Sequence, residues 1–382
     1  MSQTSELNLE GLLSPAGPPC LIVTAKLAPV AEGDRFQPAG FPEVGHVIYK
    51  APRKDGRIED VCIIDSPASM ANHLETVCCQ SATDPELHPD LSGLPYVKCV
   101  TDGENGQRDR VVCTTLTEGH RIASDYFLDG LLDATRNENG GGGKKKKKAE
   151  DEWDGEVFRA RLRTEFGIRE VERDKRYFLY PDNWWTIYDT IFRYDPNSLL
   201  HGVLFAKEQI KISRVLTAHL EAIGAARVGR SGVKFDRLGK TTSGQPIFSV
   251  DEETAREIRA TFIVDLALLR SYGRGQAGLS LPHKRLLLDL ALWKIGRLLG
   301  QPFRYRTLCH LQCEAVLVAA GEQTAAALPA VNMKASIDRC EFKNGVTSVY
   351  YPAGKLFKAA EASPEETDAT GEAETEADEG GQ

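Results

Sequence analysis

The stretch VCIIDSPASMANHLETVCC, residues 61–79, changes hydrophobic period half-way along and is the clearest guide to the fold class. Val61–Asp65 is a short apolar run with strand character. Ser66 is a good helix N-cap, and Pro67 suits a first helical position. Met70, Leu74, Val77 and Cys78 then fall at i, i+4, i+7 and i+8, one apolar stripe. Ser69, Asn72 and His73 lie off that stripe, on the helix's first turns, where unpaired N–H groups attract anions.

Working outward, CLIVTAKLAPV (20–30) reads as a first strand. PYVKCV and RDRVVCTTL read as strands joined through the turn-rich DGENG, and TEGHRIASDYF as loop then helix. Helices are expected over 153–166, 183–194, 209–223 and 282–299, with a further one capped by Asp251 and running to about Ile258. TFIVDLALLR is a strand candidate. Residues 224–246, glycine-rich and basic, cannot bury themselves and read as exposed loop or hairpin. RYRTLCHLQCEAVLVAA closes the ordered part as a strand. Strands and helices alternate with hairpins between them, which favours α+β over a doubly wound sheet. Strand–helix–strand–strand segments of this kind can build a ferredoxin-like split βαβ core.

The 382 residues suffice for one large or two ordinary domains. No run of about 18 apolar residues occurs and the N-terminus does not read as a signal peptide, so a cytoplasmic, membrane-free location is expected. Nine cysteines, mostly among apolar neighbours, read as reduced core residues. Cys309-His310-x-x-Cys313 lies in an apparent strand and lacks a second ligand pair, so no metal and no cofactor is expected. Net charge is −8, but Ala359–Gln382 holds nine acids and no Lys or Arg, and the rest of the chain stands at +1. That acidic tail and the Gly/Lys insert at 137–152 are expected to be disordered.

Several constellations carry binding chemistry. Arg35-Phe36-Gln37 sets a cation, a ring and an amide between glycine and proline; it is either a grip on a ligand with phosphates and bases or a turn whose Phe36 caps the core. His120-Arg121 is a phosphate contact or a solvated pair. His201-Gly202 sits beside apolar runs, where a histidine is usually satisfied internally. Arg227, Arg230, Ser231, Lys234 and Arg237 fall within eleven residues with glycines between, an electrostatic track or a wet surface. Gly273-x-Gly275-x-x-Gly278 does not open directly into a helix, so nucleotide-cofactor binding is rejected. Lys144–Lys148 follows four glycines, which prevents exact placement. No phosphate-loop, HExxH or GxSxG spacing is present.

Taken in order, RFQPAGFPEVG, SPASMANHLE, LSGLPYV, EGHRIAS, SLLHGVL, SGVKFDR and LALWKIGRLL resemble the backbone RAMP subunit of type I CRISPR surveillance complexes, nearest the I-U (I-G) branch. The resemblance runs over 11–320. It implies a modified RNA-recognition-motif core, a palm with finger-like and thumb-like insertions, as one domain over 20–358 behind an N-terminal segment, 1–19. It implies a non-catalytic role: copies assemble head to tail along one CRISPR RNA (crRNA) and hold the guide open for the target DNA strand. Companions would be a large subunit, a handle-binding or processing subunit and a recruited helicase-nuclease. Carried over by motif, Arg35, Arg121, Arg230, Lys234 and Arg237 would meet phosphates, and His73, Arg227 and Ser231 would also belong to the RNA-binding set. Phe36 and Met70 would wedge or stack. Gln37, Asn72, His120 and His201 would bond sugar or phosphate. The rival expectations are a ferredoxin-like endoribonuclease that matures guide RNA with His120 or His73 as acid–base, and a structural protein that binds no nucleic acid.

Overall fold

The computed structural model describes residues 7–41, 45–81, 83–102, 110–136, 153–173, 176–181, 183–231, 250–343 and 345–352. Four long strands form its centre: Cys20–Pro29, Leu216–Ser231, Val250–Asp265 and Cys309–Ala320. In space, the 309–320 strand lies beside 20–29, then 250–265, then 216–231, with every neighbour antiparallel. The Pro67–Thr76 helix falls between the first and second strands in sequence, and the Leu281–Leu299 helix between the third and fourth. This is the split βαβ arrangement of an RNA-recognition-motif or ferredoxin-like core, so the α+β expectation holds.

Local chemistry explains the elements. Along Cys20–Pro29 the alternate residues Leu21, Val23, Ala25 and Leu27 are buried, while Lys26 is exposed. The buried face joins one core with Met70 and Leu74 of the 67–76 helix and with Leu287, Leu290 and Leu298 of the long helix. Each fully buried leucine contributes about 1.5–3 kcal/mol. Ser66 Oγ accepts from Ser69 N at 3.3 Å and so caps the helix that Pro67 opens. Ile58–Asp65 extends the sheet beyond 216–231, and Ile48–Pro52 follows it. A second, five-stranded sheet sets Val346–Tyr350 parallel to Tyr96–Thr101. Among the described residues no helix is long and apolar enough to cross a membrane.

Five readings of the sequence need correction. The 209–223 segment is not a helix: Ile210–Ile212 is a short strand and 216–231 a long one. Leu216, Ala218, Leu220 and Ala222 are buried between less buried Thr217, His219 and Glu221, a period of two. Asp251 caps no helix; it lies within the 250–265 strand, opposite Arg230. Only Thr261–Asp265 of TFIVDLALLR is strand, because Asp265 Oδ1 accepts from Leu268 N at 2.8 Å and starts the Leu266–Ser271 helix. Trp153–Val157 is strand, with helix confined to Phe158–Glu165. The regular structure also continues past Ala320, through Met333–Asp338 and Val346–Tyr350. The Gly/Lys insert, Lys234, Arg237 and the acidic tail lie outside the described residues.

Candidate nucleic-acid interface

The stiff loop after Gly33 turns its ring inward. Phe36 is 1 % exposed, and its backbone exchanges hydrogen bonds with Glu253 at 3.0 and 2.9 Å. It is a core residue and offers no stacking face. Gln37 N donates to Leu308 O at 2.9 Å, which pins the loop to the hairpin ahead of the 309–320 strand. Arg35 is half-exposed but lies between two acids, Asp34 at 3.3 Å and Glu252 at 3.7 Å. Met70 is fully buried, so the wedge expected there is also corrected. Asn72 is exposed beside a separate cavity of about 400 Å³.

His73 is engaged within the protein. Its Nε2 meets Asp65 Oδ2 at 2.9 Å, and its ring packs edge-on to Phe303 and Tyr305. Asp65 also receives Arg306 at 2.7 Å. Burial pushes the Asp65 carboxyl up, but hydrogen bonds from His73 and Ser69 and the charge of Arg306 outweigh it and hold the pKa below the usual carboxylate value.

Arg121 is a strut rather than a phosphate ligand. It is buried, with Nε and Nη2 donating to the two Glu75 oxygens at 2.7 and 2.8 Å and Nη1 to Gly202 O at 3.2 Å. Asn197 Nδ2 donates to the same Glu75 carboxylate at 2.8 Å. Lys294 Nζ donates to Asn197 Oδ1 and, at 2.9 Å, to His201 Nε2. All five side chains are buried. The knot ties the 67–76 helix, the EGHRIAS loop, the short Pro196–His201 helix and the long helix together. Sequence reading missed Glu75, Asn197 and Lys294, although a lysine inside LALWKIGRLL was a visible signal.

Above this knot opens a cavity of about 1150 Å³, with Arg121 and His201 among its lining. One wall is the EGHRIAS loop, including His120, whose Nδ1 meets Glu118 Oε1 at 3.1 Å. The facing wall is the hairpin of Val203–Phe205 and Ile210–Ile212. Val203, Phe205, Ile210 and Ile212 point into the core, which leaves Leu204 and its cross-strand partner Lys211 outward. Lys207 is exposed at the turn, and Arg214 follows, donating from Nη1 to Pro67 O at 3.3 Å. Glu208, which in sequence separates the lysines, is buried and taken by Arg163 at 2.8 Å and Arg159 at 3.5 Å. The lysines therefore keep their charge for the cleft. Tyr126, 41 % exposed, and Leu204, 59 % exposed, add apolar surface. Phosphate-seeking cations beside a ring and a leucine are the elements of a single-strand nucleic-acid groove.

Of the basic segment, Arg227 is partly exposed, with Nε 3.2 Å from Glu253 Oε1. Arg230 and Ser231 end the 216–231 strand. A family model described as CRISPR-associated protein GSU0053 matches residues 21–227, more than half of the chain. The chain belongs to this family. The GSU0053 match takes in both walls of the cleft and four members of the knot, Glu75, Arg121, Asn197 and His201, while Lys294 lies beyond it. No curated protein matches the chain.

Proposed function

We propose that this GSU0053-family chain is a non-catalytic backbone subunit of a type I CRISPR effector complex, of the I-U/I-G kind, whose copies line up head to tail along crRNA. The observation that carries the proposal is the cleft, where Lys207 and Lys211, without an ion pair among the described residues, share a lining with exposed Tyr126 and Leu204. Lysines that meet phosphates read no sequence, as a guide-holding lattice requires. A ring and a leucine support bases by their faces, so the pairing edges stay free for the target DNA strand. The long 216–231 and 250–265 strand pair is a natural bridge to a neighbouring copy; contacts between unlike surfaces of successive copies propagate along a strand. The large subunit, the handle-binding or processing subunit and the helicase-nuclease would be partners of the assembled lattice.

The test is crRNA binding by fluorescence anisotropy over a salt series. For single strands, log K falls with log salt by about 0.7 per phosphate neutralised. Lys207→Glu with Lys211→Glu should weaken binding and flatten the slope by about 1.4. An unchanged slope takes the cleft out of the RNA path. Incubation of the same protein with a repeat-containing RNA tests the nuclease rival: cleavage abolished by His120→Ala would replace the scaffold reading.

A further inference from the structure

The cleft carries more positive charge than the described chain neutralises, and the sequence beyond the last described residue, Pro352, holds a strongly acidic run from Glu361 onward. Glu118 and Asp125, the cleft's acids, are engaged by His120 at 3.1 Å and Arg159 at 2.7 Å. Lys207 and Lys211 have no ion pair among the described residues. Tyr351 lines the same cavity. It is anchored there by its N–H on Val100 O at 2.8 Å and by the Thr101 hydroxyl on its carbonyl at 2.8 Å. Pro352, the next residue, is buried. Tyr351 and Pro352, the last described residues, thus place the end of the described chain at this cavity. Beyond it Lys355 and Lys358 come first; the nine acids of Ala359–Gln382 then begin at Glu361, with no Lys or Arg among them. An extended run from Pro352 to Glu361 reaches up to about 30 Å.

We infer that the segment Glu361–Glu379 is a second ligand of this cleft, an acidic polypeptide whose carboxylates meet Lys207 and Lys211 of the same chain when RNA is absent. Charge complementarity and the end of the described chain at this cavity both favour this occupant. Single exposed ion pairs are weak, but a short tether raises the local carboxylate concentration to the millimolar range. RNA, with a phosphate at every nucleotide and bases to stack, displaces it. Only that displacement rests on the cleft being the RNA path; the contact itself does not.

Zero-length carbodiimide cross-linking of the full chain, at low salt without RNA, reads the contact directly. The expected products join Lys207 or Lys211 to Glu361–Glu379 and disappear at about 0.5 M salt. In an equal mixture of isotope-labelled and unlabelled protein, they form within one chain. Products that join the acidic segment only to Lys144–Lys148, or only to a second chain, or no products at all, overturn the inference. A second arm uses the full chain with the nine carboxylates changed to their amides. It should bind an unstructured RNA oligomer about five- to tenfold more tightly at low salt. That gain should vanish in the Lys207→Glu, Lys211→Glu background, and a gain that survives there overturns the site. Cross-links to the two lysines in a protein that binds no RNA would uphold the contact and end the RNA reading instead.

Discussion

Lys294 donates from Nζ to His201 Nε2 at 2.9 Å, and neither side chain reaches solvent. An ammonium group cannot accept, so Nε2 holds the lone pair and the ring proton sits on Nδ1. Burial, followed by the charges of Lys294, Arg121 and Arg214, holds the His201 pKa well below its ordinary 6.5. The unfolded chain takes up this proton below about pH 6.5 and the folded chain does not. The site's stabilisation is therefore complete above that pH and is lost as pH falls, by up to about 1.4 kcal/mol per pH unit. Asp195 acts in the opposite sense. Burial raises its carboxyl from 3.8 to about 6, so the folded chain binds that proton first and the fold gains between pH 6 and 4. His201→Gln keeps an acceptor for Lys294 and removes only the first effect. Its stability cost should shrink by about 2 kcal/mol between pH 7.5 and 5, read from urea midpoints. A cost independent of pH would mean that the histidine is charged or solvated.

Arg121→Lys keeps the charge and loses the fork. Lysine cannot serve both Glu75 oxygens and Gly202 O together, so part of a buried carboxylate is left unsatisfied. The expected loss is about 2–4 kcal/mol, visible as a lower denaturant midpoint at unchanged m-value. A neutral substitution would show that the arginine is available to ligand after all.

How much of this was legible in the sequence depended on distance along the chain. The 67–76 helix was, because its cap, proline and stripe are all local. The 216–231 strand was not: Leu216, Leu220 and Ile223 satisfy a helical spacing, while Leu216, Ala218, Leu220 and Ala222 satisfy a strand. Hydrogen-bonded pairing to 250–265 on one side and 58–65 on the other decides between them. Lys207 and Lys211 do not stand out in the sequence, where Glu208 lies between them, and only the fold shows Glu208 turned inward to Arg159 and Arg163. The knot joins residues far apart in sequence, such as Asn197 and Lys294, which no local pattern pairs.

Phe36 and Met70 separate packing from binding. Both are buried in the same core. Phe36→Ala should cost about 3–5 kcal/mol and Met70→Ala about 2–5 kcal/mol. RNA affinity per folded molecule should stay within twofold, with thermal midpoint and anisotropy measured on the same samples. A tenfold affinity loss at unchanged stability would return these side chains to the RNA path.

Burial also decides thiol reactivity. It pushes the Cys62, Cys309 and Cys340 thiols up to about 12. At pH 8 their thiolate fraction is lower than that of an ordinary cysteine by a factor of about 10³. Iodoacetamide should label them slowly in the native chain and quickly in urea. Fast native labelling at any of the three would contradict the packing.

The last prediction moves the lysine wall without changing its charge. Gly202 joins the Pro196–His201 helix to the Val203–Phe205 strand with φ +76°, a conformation that L side chains rarely adopt. A Cβ there would lie 2.8 Å from Ile212 O and 3.0 Å from Arg214 Cγ, on the partner strand of the hairpin and just after it. Gly202→Ala must therefore strain the backbone, at about 1–3 kcal/mol, or push the hairpin outward and take Leu204 and Lys211 with it. Its carbonyl also receives Arg121, so the shift is resisted from below and falls on the hairpin. The expected result is modest destabilisation together with weaker RNA binding and a flatter salt slope, although every cation is still present. Destabilisation with RNA affinity and slope both unchanged would show that the position of this hairpin does not set the contact.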